Sequence, residues 1–151
     1  MPTVLFVCTG NYYRSRYAEL YFNARIAPAL GWRADSRGFE PSPHNSGPIN
    51  ADVLRRLNER GLLPPGEQRQ PQLLVEADLE AADRVIALDE SEHLPYVQRL
   101  FPHRSGHFAY WRVADLHAMT IAEALGAIEE LVDGVIAELE QGVPDKRKGP
   151  Q

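Results

Sequence analysis

The chain has 151 residues, 44% of them hydrophobic, which fits one globular domain and lies outside the range of disordered chains. A formal net charge of −5 argues against nucleic acid as a partner, since a phosphate backbone would face a mostly acidic surface. With a single cysteine, neither an internal disulfide nor a cysteine-rich metal site is available, which suits a reducing cytosol.

The first apolar run, Thr3 to Val7, is β-branched and aromatic without alternation, the pattern of a strand buried on both faces. It is too short for a signal core or a membrane span, and no basic region precedes it. We therefore expect no secretion, no membrane insertion and a cytoplasmic location. A glycine-containing loop follows, then a helix predicted from about Ser15 to Leu30, with Ala18, Phe22 and Ile26 as its apolar stripe and Gly31 as its stop.

A second strand is expected over Trp32 to Ser36 or slightly beyond. Three prolines in the stretch from Gly38 to Pro48, the last included, mark a loop. Asn50 reads as the N-cap of a helix that runs through Arg60 and stops at Gly61. After the Pro64-Pro65-Gly66 loop, a short helix near Val75 to Ala82 leads into a buried strand, Arg84 to Leu88. Asp89 or Ser91 caps the next helix, which ends before Pro102. A fourth strand is expected from His107 to Val113, then a loop over Ala114 to Ala118. The last helix runs from about Thr120 to Gln141 on Leu125, Ile128, Leu131, Val132, Val135 and Leu139. Residues 1–141 thus read as one domain and 142–151, rich in Lys, Pro and Gly, as a frayed tail.

Alternating strands and helices imply an α/β fold with a parallel sheet, whose sites lie beyond the carboxyl ends of strands. The loops holding Cys8 and Asp115 follow strands one and four, so both should open on the same edge. Cys8-Thr9-Gly10-Asn11-Tyr12-Tyr13-Arg14-Ser15 runs from a buried strand into a helix. That setting aims backbone N–H groups and the positive helix end at one point, an anion site. Gly10 and Asn11 tolerate left-handed backbone angles, and Arg14 offers a planar fork to two phosphate oxygens. The same dipoles favour thiolate at Cys8, a nucleophile able to form a phosphocysteine, with Ser15 placed to donate its hydroxyl to the sulfur. No Gly-Lys-Ser or Gly-Lys-Thr occurs, which removes the nucleotide-binding P-loop from consideration.

These residues resemble the low-molecular-weight protein tyrosine phosphatase family, whose loop reads Cys-x-Gly-Asn-x-Cys-Arg-Ser-Pro after an N-terminal strand. Ser36 with Gly38 resembles the family's Ser-Ala-Gly turn, whose serine supports the loop asparagine. Arg60-Gly61 and the stretch Ala82 to Asp89 match further positions in order, and Asp115-Leu116-His117 stands where the family has an Asp-Pro-aromatic loop. The resemblance implies a four-stranded parallel sheet with helices on both faces. It also implies hydrolysis of phosphomonoesters, in a phosphotyrosine protein or a small aryl phosphate, through Cys8 without metal or other cofactor. Arg14 would then grip the phosphate and Asp115 serve as acid, then base.

Three departures stand out. Tyr13 replaces the second loop cysteine, so the family's protective disulfide cannot form and oxidised Cys8 must be rescued otherwise. Arg16 replaces a proline, and Leu116-His117 replaces Pro-aromatic beside the acid. Tyr12, with Phe39 or His44, is expected to wall the cleft, whereas Tyr17 and Tyr21 are read as packing. His103 and His107 flank Arg-Ser-Gly with no third ligand at a workable spacing, so no metal is called for. Two rival readings are a phosphate- or phosphopeptide-binding module without catalysis, and an arsenate reductase that uses an external small thiol. The sequence carries no signal for oligomeric state.

Overall fold

Strand β1 (Thr3–Cys8) is buried along almost its whole length in the computed structural model, which describes residues 1–142. Its side chains alternate, as a pleated strand requires. Val4, Phe6 and Cys8 enter one apolar cluster, and Leu5 and Val7 enter another on the opposite face. That is why the run lacks a polar alternation. β1 pairs in parallel with β2 (Arg33–Gly38) and β3 (Arg84–Ala87), and β3 pairs in parallel with β4 (Phe108–Tyr110). The sheet order is β2-β1-β3-β4. The chain leaves β1 toward β2 and returns across it to β3, so the Cys8 loop emerges at the switch point of the sheet.

Helices cover both faces. α1 (Arg14–Arg25), α2 (Ala51–Glu59) and α5 (Ile121–Glu140) bury Phe22, Leu57 and Ile128 in the first cluster. α3 (Glu76–Ala81) and α4 (Glu90–Leu100) bury Leu79 and Val97 in the second. The cap expected at Asn50 forms, whereas Asp89 stands at the N-cap of α4 without a side-chain cap bond and instead accepts from the Ser91 hydroxyl. Asn50 Oδ1 accepts from the amides of Asp52 and Val53, and Thr120 pairs reciprocally with Glu123 in a capping box. Gly61 takes φ 66° and ends α2. No described helix is long and apolar enough to cross a membrane.

Two elements differ from expectation. α1 ends at Arg25 rather than Leu30, because Pro28 excludes helical angles at Ala27, which sits at φ −68°, ψ 126°. Gly31, at φ 73°, closes the short 3₁₀ turn Pro28–Leu30 instead. α1 also shows no single stripe: Arg14, Ser15, Arg16, Tyr17, Leu20 and Tyr21 are buried as well as Ala18 and Phe22. β4 is three residues long, although its backbone continues to bond to the sheet, with Trp111 N donating to Ala87 O and Val113 N to Leu88 O. The tail expected from Gly142 onward lies, beyond that residue, outside the described residues.

The apolar face of α5 carries one charge, Glu129, which is buried between helices. Arg56 donates to both of its oxygens at 2.8 and 3.0 Å, Arg60 donates at 3.2 Å, and the Tyr17 hydroxyl donates as well. Burial alone pushes this carboxyl up, but the hydrogen bonds from Arg56 and Tyr17 outweigh it and hold it below its ordinary value. A carboxyl depressed in the folded state adds stability above its unfolded value of ~4.3 and loses it as pH falls through the folded value. Glu129→Ala should therefore cost about 2–3 kcal/mol at neutral pH, where a charge-assisted bond is broken. In urea melts the gap from wild type should close below about pH 4.

Candidate active site

Between β1 and α1 the chain curls around the sulfur of Cys8. The curl needs one residue in the left-handed region, and Asn11 takes it at φ 52°. Gly10 does not, contrary to expectation; a Cβ there would meet only Tyr12 Cβ at 3.9 Å. The turn points the Asn11 amide at Cys8 Sγ, 3.3 Å away. Ser15 Oγ lies 3.0 Å from the same sulfur and accepts from the Asn11 side-chain amide at 2.9 Å. Cys8 is 2% exposed and sits at the floor of the cleft.

The side chain of Asn11 uses every hydrogen-bonding position it has. Its NH₂ donates to Ser15 and to Ser36 Oγ at 2.8 Å, and its oxygen accepts from Arg69 Nη1 and the Gln72 amide. Ser36 passes its own proton to Glu19 at 2.6 Å, which fixes it as acceptor toward Asn11. Ser36 is thus hydrogen-bonded directly to the loop asparagine. Arg69 and Glu19 were not foreseen. Arg69 stands in an irregular Gln-Arg-Gln-Pro-Gln segment that announces nothing, and it binds Asn11, Glu19, Asp35 and the Ser36 carbonyl together. Arg16, in place of proline, is 1% exposed and donates to the Arg69 carbonyl at 2.8 Å, so the buried guanidinium pins the segment that carries Arg69.

Gly38 is held where no side chain fits. A Cβ there would lie 2.7 Å from Thr9 O and 3.0 Å from Asn11 N. The close approach is fixed by Phe39 N donating to Cys8 O and Glu40 N donating to Thr9 O.

Arg14 is 2% exposed at the start of α1. Its guanidinium donates to Glu92 through both Nη atoms, at 3.1 and 2.7 Å, and to Val113 O at 2.9 Å. Burial opposes the charge, but Glu92, Cys8 and Asp115 outweigh it and hold the guanidinium above its ordinary value. Glu92 also accepts from the Thr9 hydroxyl and adjoins His93 Nε2 at 3.2 Å. Burial raises this carboxyl, yet His93, Arg14 and Thr9 together keep it far below the usual carboxylate range. Asp115 Oδ2 is 3.8 Å from Arg14 Nη2, and Asp115 Oδ1 accepts from the Leu116 amide. The two loops expected to meet at one sheet edge do meet there.

The cleft above the sulfur measures about 350 Å³ and is lined by Thr9, Gly10, Tyr12, Tyr13, Glu40 and Leu116 among others. Tyr12 bonds out of the loop to the Ser46 carbonyl at 2.6 Å. Tyr13 is buried, its hydroxyl lacks a partner, and desolvation pushes its pKa up to about 12. Phe39 is not a wall: it is buried in the second core cluster, stacked on Tyr96 at 5.0 Å. Neither His44 nor His117 lines the cleft. Tyr17 and Tyr21 pack between helices, as expected, and bond to Glu129 and Asp133. Among the described residues no three His, Cys, Asp or Glu side chains cluster as metal ligands.

Residues 3–145 match the family model described as low molecular weight phosphotyrosine protein phosphatase. No curated protein sequence matches. Among solved structures, YfkJ from Bacillus subtilis is 23% identical, with a TM-score of 0.79 over 94% of this chain and 96% of that one. A low molecular weight protein tyrosine phosphatase from T. tengcongensis is 28% identical, with a TM-score of 0.74 over 91% and 99%. YwlE arginine phosphatase from Geobacillus stearothermophilus is 23% identical, with a TM-score of 0.75 over 94% and 95%.

The contact at Gly38 gives a test of the loop that involves no catalysis. Gly38→Ala must displace Thr9 or Asn11, since neither neighbour is the flexible end of a side chain. Vanadate affinity measured by calorimetry should fall at least ~10-fold, the equivalent of one good hydrogen bond to an anion, while the far-ultraviolet circular dichroism stays that of wild type.

Proposed function

The chain belongs to the low molecular weight phosphotyrosine protein phosphatase family, and we propose that it hydrolyses aryl phosphates, phosphotyrosine in proteins included, through a phosphocysteine at Cys8. The observation that carries this reading is the arrangement at the sulfur. The Asn11 amide and the Ser15 hydroxyl both face Sγ, and Asp115 stands at the rim beside Arg14. Donors aimed at the sulfur suit a group that must carry charge as it attacks phosphorus and again as it leaves.

In the first step the thiolate forms an S–P bond as the P–O bond to the phenol breaks. Protonated Asp115 delivers its proton to the departing oxygen. Backbone N–H groups of residues 9–14 and the Arg14 fork hold the equatorial phosphoryl oxygens. In the second step the Asp115 carboxylate takes a proton from water as the water oxygen bonds phosphorus. The S–P bond breaks, and the Ser15 hydroxyl stabilises the sulfur as it leaves. No step needs a metal, and a lone nucleophilic cysteine suits a cytoplasmic protein.

Tyr12, Tyr13 and Leu116 offer an apolar, partly aromatic wall, which suits a phenyl ring. The carboxylates of Glu40 and Asp115 on the same cleft support a second reading, a phosphorylated arginine, whose guanidinium they would pair. Turnover of phosphotyrosine and phosphoarginine peptides, measured side by side, decides between them. We expect phosphotyrosine to be preferred and a chelator to leave the rate unchanged. Failure to turn over either would favour the binding-module reading.

Cys8→Ser should abolish turnover while retaining vanadate binding, because a serine hydroxyl stays protonated where a thiol ionises. Full activity in that variant would overturn the mechanism. Asp115→Asn should slow phenyl phosphate by ~10²–10⁴-fold and slow an activated nitrophenyl ester far less, since a good leaving group needs no proton. His117→Ala should leave both rates near wild type, because His117 is exposed and outside the cleft.

A further inference from the structure

We propose that Glu92 is the positioning residue for Arg14, turning the guanidinium so that one edge alone faces the phosphate site. The inference rests on the reading of Arg14 as the phosphate fork. A guanidinium has five N–H donors in one plane. Glu92 takes one from each Nη, end-on, at 3.1 and 2.7 Å, and Val113 O takes the second Nη1 hydrogen at 2.9 Å. The two that remain, Nε–H and the second Nη2–H, lie side by side along the third edge. That pair matches two oxygens of a phosphoryl group. Asp115 Oδ2 stands 3.8 Å from Nη2, beyond hydrogen-bond reach.

Glu92 is held in turn. The Thr9 hydroxyl donates to it, and its neighbour His93 is fully buried and fixed in one tautomer. The Asp89 amide donates to His93 Nδ1 at 3.0 Å, so the ring proton sits on Nε2. From there it faces Thr9 Oγ1 at 3.1 Å and Glu92 Oε2 at 3.2 Å. Glu92 is not among the residues lining the cleft, and both of its oxygens are engaged by Arg14, so its action on the phosphate runs through Arg14. It acts by removing rotational freedom from a side chain that must match a flattened transition state, where a small misalignment costs rate more than ground-state binding.

Glu92→Gln tests this. Its amide keeps the shape but can accept from only one Nη and points a donor at the other. Vanadate affinity and kcat should both fall about 10–100-fold, the loss of one charge-assisted bond, while KM moves less than kcat. In an Arg14→Lys background the same change should cost under about two-fold in vanadate affinity, because the fork it aims is already gone. Thermal melts of all four proteins accompany the cycle, and Glu92→Asp, which keeps the charge, should recover part of the loss. Wild-type affinity and kcat in Glu92→Gln, or an equal loss in both backgrounds, would overturn the proposal. Vanadate binding requires no turnover. A wild-type chain that binds vanadate and hydrolyses nothing would contradict the phosphatase reading and leave the Glu92 measurement standing.

Discussion

A backbone cannot wrap a sulfur atom without at least one residue leaving the ordinary regions of φ and ψ, and in this chain that residue is Asn11, at φ 52°. Its left-handed turn aims its own amide at Cys8. The conformation is disfavoured for an L-residue, so something must hold it. The side chain does so, with donors to Ser15 and Ser36 and acceptor contacts from Arg69 and Gln72. Those partners come from α1, from β2 and from the irregular segment before α3. The close packing of Gly38 beneath the loop and the buried Arg16 above it serve the same end. Most of what is unusual in this half of the molecule is there to keep one residue strained and one sulfur faced by donors.

The other half of the site is organised by charge. Arg14 is almost wholly buried, and a buried cation needs a partner. Glu92 supplies it from the first turn of α4, and Val113 supplies a carbonyl from the strand extension beyond β4. The extension is held by Val113 N donating to Leu88 O. Two residues further along, Asp115 Oδ2 lies 3.8 Å from Nη2 of the same guanidinium. One cation therefore registers two separate chain segments, the start of α4 and the Val113–Asp115 stretch, against the Cys8 loop. The family's proline beside the acid is absent, yet the Asp115 loop is still anchored, by this carbonyl on one side and by its own turn to Ala118 on the other.

How much of this was legible depended on whether the signal was local. The strand-to-helix setting of the Cys8 loop, the buried strands, the Asn50 cap and the parallel order follow from short-range patterns, and the structure bears them out. The length of α1 was misjudged because its apolar spacing continues past Pro28, although the proline itself carried the answer. Gly10 was assigned a backbone role that Asn11 performs alone. Glu92, Arg69 and Glu19 were missed for a different reason. Each is a charged residue that looks like solvated surface in sequence, and each acquires its role from partners far along the chain, 78 positions away for Glu92 and Arg14, 58 for Arg69 and Asn11, and 17 for Glu19 and Ser36. Adjacent Glu92-His93 at a helix start on the carboxyl edge of the sheet was the one available hint. Phe39 or His44 was expected in the cleft wall beside Tyr12, but Phe39 lies in the core, since alternation at the end of β2 turns it inward, and His44 does not line the cleft.

The central claim is that the sulfur of Cys8 carries the phosphoryl group between the two displacements. Rapid mixing of the protein with excess nitrophenyl phosphate, followed by quenching and mass spectrometry of the N-terminal peptide, addresses it directly. The account predicts a burst of nitrophenol approaching one equivalent per chain, with the added phosphoryl mass on Cys8. Steady turnover with no burst and an unmodified Cys8, or a phosphoryl group found on any other residue, would contradict it.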